Sequence, residues 1–110
     1  MRVRHLLPVL VVATAPFAAA ADDDMSAVVK KGRLLLHANC SACHATETDD
    51  ASLNTAAPAF RDVAKRYPPE DLGEGLAEGI VTGHPDMPEF VFQPDEIGAI
   101  IAYLDWLRAR

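Results

Sequence analysis

Two cysteines and a histidine within five residues, Cys40-Ser41-Ala42-Cys43-His44, constrain this 110-residue chain more than any other feature. Cys-x-x-Cys-His is a pattern for covalent haem attachment: the thiols add across the two porphyrin vinyl groups, and the neighbouring imidazole then lies beneath the iron as a ready axial ligand. Both cysteines of the chain are in this motif, so none remains for a structural disulfide framework. Two other readings compete. A thioredoxin-like redox pair wants a strand leading into the motif and a βαβ setting, and no stretch here alternates convincingly with period two. A zinc site has His37, Cys40, Cys43 and His44 within eight positions. Zinc ligands usually come from two separated clusters, however, and the second is missing.

Haem attachment of this kind takes place outside the bacterial cytoplasmic membrane, and the start of the chain reads as an export signal. Arg2 and Arg4 form a positive region, Leu6 to Val12 an apolar core, and Ala18 to Ala21 a small-residue run suited to cleavage. The expected organisation is a signal peptide over residues 1–21 and one domain over 22–110, in the periplasm and without a membrane span once the leader is removed. The apolar run is short and broken by Pro8 and Pro16, which leaves an uncleaved anchor as the lesser alternative. Without Arg2 and Arg4 the chain carries 8 basic and 16 acidic side chains, a net charge of about −8. That balance excludes nucleic acid as a natural partner. So short a domain is poor in core, and a buried macrocycle would supply apolar interior that the side chains lack.

The rest of the sequence predicts helices. Ala27, Val28, Gly32, Leu35 and Leu36 recur at helical intervals, with Ser26 as N-cap and Lys30, Lys31 and Arg33 on a solvated face. Gly32 costs helix stability and invites another helix to cross closely. The expected partner is the last segment, where Ile97, Ile100, Ile101, Leu104 and Leu107 form a stripe flanked by Tyr103 and Trp106, with Pro94, Asp95 and Glu96 in the first turn. Two shorter helices are predicted between them. One holds Phe60, Val63, Ala64 and Tyr67 and closes at Pro68-Pro69; the other holds Leu72, Leu76 and Ile80 and ends near Gly83. Glu47 to Asn54 reads as a surface loop.

A second axial ligand has four candidates beyond the leader: Met25, His37, His84 and Met87. Met25 is expected at a ragged terminus, and His37 precedes Cys40 by one helical turn on the proximal side. His84 and Met87 share the loop His84-Pro85-Asp86-Met87-Pro88, stiffened by its prolines and far enough from His44 to pass round a ring edge. Met87 as an apolar filler is a further reading of that loop.

Across essentially all of residues 22–110 the chain resembles the class I cytochrome c family. The residues that carry the resemblance are Cys40 to His44, Met87-Pro88 just before the last helix, Gly32 and Leu36 ahead of the motif, and Ile100 and Tyr103 in the C-terminal helix. The resemblance implies an all-α cytochrome c fold, with N- and C-terminal helices crossing and shorter helices around one covalently bound haem c. Cys40 and Cys43 would be its thioether anchors, and His44 and Met87 its axial iron ligands. Pro58 resembles the family proline whose carbonyl accepts a hydrogen bond from the proximal histidine, fixing the Nδ1–H tautomer of His44. Two strong axial ligands leave no open coordination site, and a thioether raises the reduction potential relative to a second histidine.

The expected function is therefore single-electron transfer between redox proteins such as a dehydrogenase, a reductase or a terminal oxidase, and not catalysis. The chain would act as a monomer or as a subunit of a small complex. Alternatives are the haem subunit of a dehydrogenase complex and a haem protein whose open sixth site binds a small ligand. Glu47, Asp49, Asp50, Asp86 and Glu89 read either as an acidic rim steering basic partners or as ordinary solvated surface. Arg61 and Tyr67 are candidates to hold a propionate.

Overall fold

A computed structural model describes residues 11–13, 24–79 and 86–110. The leader apart from Val11 to Ala13, and Ile80, Gly83, His84 and Pro85 of the ligand loop, lie outside the described residues. Among the described residues there are helices and no strand: α1 (Ala27–Cys40), α2 (Phe60–Arg66), a 3-10 turn (Pro69–Leu72), α3 (Gly73–Glu78) and α4 (Pro94–Arg108). The all-α expectation holds. No helix among these residues is long and apolar enough to cross a membrane.

Both long helices start on caps. Ser26 Oγ accepts the Val29 N–H at 3.4 Å and ends the extended approach to α1. At α4, Pro94 stands in the first turn, and Gln93 and Glu96 form a reciprocal capping box in which the Gln93 N–H donates to Glu96 Oε2 at 2.9 Å. Their crossing is the centre of the molecule. A Cβ added at Gly32 would overlap the Ala99 carbonyl oxygen and stand 2.9 Å from Tyr103 Cβ, so only glycine lets the two backbones meet. Leu36, Ile100, Tyr103, Leu104 and Leu107 fill the contact and are at most 2% exposed. Each buried aliphatic side chain there contributes roughly 1.5–3 kcal/mol.

Several local expectations are corrected. Met25 is not at a ragged end but buried in this core, and Arg110 is paired with Asp24 beside it. Lys31 and Arg33 are not simple solvated charges: Lys31 Nζ reaches Asp95 at the start of α4 (2.6 Å), and Arg33 Nε reaches Glu47 (2.9 Å). α3 stops at Glu78, well short of Gly83, because Gly79 adopts φ +95° and turns the chain where a Cβ would collide with the Glu89 side chain. The returning segment docks on α3 through Phe92 N–H to Leu76 O (2.9 Å).

Candidate haem site

The motif folds as a continuation of α1. The Cys40 carbonyl accepts from both Cys43 N–H (3.2 Å) and His44 N–H (2.9 Å), a tight turn that sets the two cysteines and the histidine along one wall of a cleft. His44 is held from behind, where its Nδ1–H donates to the Pro58 carbonyl at 2.7 Å. That bond commits one ring nitrogen and leaves Nε2 for a metal. The Phe60 ring lies 5.0 Å from the imidazole at 35° and restrains its tilt, while Phe60 N–H donates to Ala45 O at 3.0 Å.

The cleft, about 790 Å³ including its open mouth, is walled by the motif on one segment and by Asp86, Met87, Pro88 and Phe90 on another. A smaller apolar cavity adjoins it, lined by Leu36, Leu76 and Phe92 and sharing Cys40, Met87, Pro88 and Phe90. Of the described candidates for a second ligand, Met87 alone lines the cleft. His37 is exposed on α1 and Met25 is buried in the core. His84 lies outside the described residues.

The competing readings of the thiols fare worse. Burial pushes the Cys40 thiol up to about 11, so it is neutral at physiological pH and poorly suited to thiolate redox chemistry. No three His, Cys, Asp or Glu side chains converge as a metal cage among the described residues. A flat, largely apolar macrocycle fits better: two thiols for its edge, one imidazole with a free nitrogen, one thioether, and walls otherwise mostly of alanine, proline and phenylalanine, with Asn39, Asn54 and Asp86 as the polar exceptions.

The loop leaving His44 was legible as a loop but not as a tied one. Asp50 Oδ2 and Oδ1 accept from Thr46 N–H (3.1 Å) and Glu47 N–H (3.0 Å), and Ser52 Oγ accepts from Ala45 N–H (2.9 Å). The buried Tyr103 hydroxyl donates to the Thr46 carbonyl at 2.6 Å, with burial, then the Glu47 charge, raising its pKa far above the usual phenol range. Arg61 donates to Glu47 O and Asp50 Oδ1, both at 3.2 Å. Arg61 is thus tied to this loop through one guanidinium nitrogen, and neither it nor the half-exposed Tyr67 lines the cleft. Glu47 and Asp50 likewise serve the loop. Of the five carboxylates read as a rim, only Asp86 lines the cleft.

No curated protein and no solved structure gives a significant match to the chain. A family model does match, that described as cytochrome C oxidase, cbb3-type, subunit III, over residues 27–104. That span runs from the first turn of α1 to Leu104 in α4 and encloses the motif and Met87. Two thiols, an oriented imidazole and a crossed pair of terminal helices thus agree with the match, and the chain belongs to this family, a c-type cytochrome domain that implies haem c.

Proposed function

We propose that the chain is an exported carrier of single electrons, with residues 1–21 removed and residues 22–110 holding one haem c. Cys40 and Cys43 form its thioethers, and His44 Nε2 and Met87 Sδ bind the iron. Haem bound there supplies a one-electron ferric/ferrous couple. Pro58 keeps His44 in the Nδ1–H tautomer, the thioether favours the ferrous state, and the apolar walls keep water from the ring. The observation that carries the proposal is the His44 Nδ1 to Pro58 O bond of 2.7 Å in a cleft that Met87 also lines.

The family name supports a terminal cytochrome c oxidase as the partner, either as a complex in which this chain sits or as an acceptor it visits. A dehydrogenase complex is the alternative setting, and gel filtration of a native extract separates free from bound protein. The acidic balance of the chain favours a partner with a basic face, so transfer rates should fall as salt rises. A redox titration tests the ligand set. A positive potential and no carbon monoxide binding on mixing with the reduced protein are expected. A negative potential contradicts Met87, and rapid carbon monoxide binding contradicts the carrier role in favour of an open sixth site.

A further inference from the structure

We propose that Asn54 is a positioning residue for the axial imidazole, acting through Pro58; this rests on His44 being an iron ligand. Three hydrogen bonds converge on Asn54. Its N–H donates to the Cys43 carbonyl (3.1 Å), its carbonyl accepts from Ala57 N–H (3.0 Å), and its Oδ1 accepts from Ala56 N–H (2.9 Å). The turn is thus moored at its first residue to the second cysteine of the motif. One residue beyond its end stands Pro58, whose carbonyl receives the His44 Nδ1–H.

A five-residue span therefore grips two consecutive residues of the motif, the backbone of Cys43 at one end and the ring of His44 at the other. Any residue but proline at position 54 could make the two backbone bonds. The side-chain bond is specific to a short acceptor: it satisfies the Ala56 N–H and holds the turn in the one shape that brings the Pro58 carbonyl within 2.7 Å of the ring. The distance and angle of that carbonyl set how much electron density the imidazole gives the iron, and so the reduction potential. Asn54 also lines the cleft, so a change in potential alone would equally follow from direct contact with a bound group; a change in the plane of the axial imidazole is specific to action through Pro58.

The test uses haem-loaded wild type, Asn54→Ala and Asn54→Ser, the last retaining an uncharged acceptor. Asn54→Ala is expected to raise the potential and to change the pattern of haem-methyl shifts in the ferric NMR spectrum, which reports the ring plane of the axial histidine. Asn54→Ser should restore both towards wild type. A lowered Tm in Asn54→Ala with unchanged potential and methyl shifts overturns the proposal. Should Asn54→Ala fail to accumulate, proton exchange in reduced wild type decides: the His44 Nδ1–H and the Ala56 amide exchanging in step supports it, and a freely exchanging Ala56 amide beside a protected Nδ1–H overturns it. Wild type that carries haem without His44 ligation defeats the proposed ligand set itself, and is recognised before any variant is made.

Discussion

The α1–α4 crossing and the walls of the cleft are built on different physics. At the crossing, glycine lies against a backbone carbonyl and five fully buried side chains fill the contact. The walls have few buried apolar side chains, and the loop from Ala45 to Asp50, which leads from the lining residue His44 towards the lining segment that starts at Asn54, keeps its shape because side chains of Ser52, Asp50, Arg61 and Tyr103 take its backbone groups one by one. Hydrogen bonds fix geometry but contribute little net stability, about 1 kcal/mol each. One region thus supplies the stability of the fold, and the other supplies precision around the cleft.

The most severe way to break this contrast is to withhold the group. Replacing Cys40 and Cys43 with alanine should give a polypeptide that keeps helical circular dichroism from α1 and α4 but loses amide protection over residues 44–59 and melts without a cooperative transition. Equal protection of the loop and of α4 in that variant, or a sharp melt, would show that the walls stand alone. Gly32→Val comes next. It drives a branched side chain into the Ala99 carbonyl and should cost about 3 kcal/mol by denaturant unfolding of the haem-loaded protein, with the spectrum of the surviving fold little changed.

Tyr103→Phe sharpens the boundary between the regions, since Tyr103 belongs to both. Losing its hydroxyl leaves the buried Thr46 carbonyl without its donor and should cost about 2 kcal/mol; a cost near zero would mean that the loop is not tied to α4 there. The smallest effect concerns the Lys31–Asp95 pair. Its side-chain hydrogen bond and the Lys31 charge lower the Asp95 pKa. A depressed carboxyl stabilises the fold above its unfolded pKa, and that stabilisation is lost as pH falls through the depressed value. Lys31→Met should therefore lower stability slightly at neutral pH, with the difference from wild type vanishing as pH falls through the depressed value; the effect is small because the carboxylate is exposed to solvent screening.

What could be read from the sequence divides along the same line. The α1 and α4 stripes, Gly32 at the crossing and the motif itself were legible because burial imposes a period and covalent chemistry a spacing. The Pro58 contact was legible only through resemblance. The ends of the short helices were not, since nothing in the sequence says that Gly79 takes a positive φ. Arg61 invited a propionate role because a guanidinium suits a carboxylate; which carboxylate depends on loop Glu47–Asp50 folding back on α2, a contact 11 to 14 residues away with no periodic signature. Met25 misled because proximity to a new terminus says little about burial. The capping box at Gln93 and Glu96 was missed although its spacing was visible.

The central claim is that one iron is gripped by His44 and Met87, with the ring fastened at Cys40 and Cys43. The most direct test is the absorption spectrum of purified protein from a host competent in cytochrome maturation, taken oxidised and reduced, for wild type and Met87→Ala. The account predicts covalently bound low-spin haem with a sulfur-to-iron charge-transfer band in the oxidised wild type, and loss of that band in Met87→Ala. Colourless protein, or a wild-type spectrum of high-spin haem without the band, would contradict it.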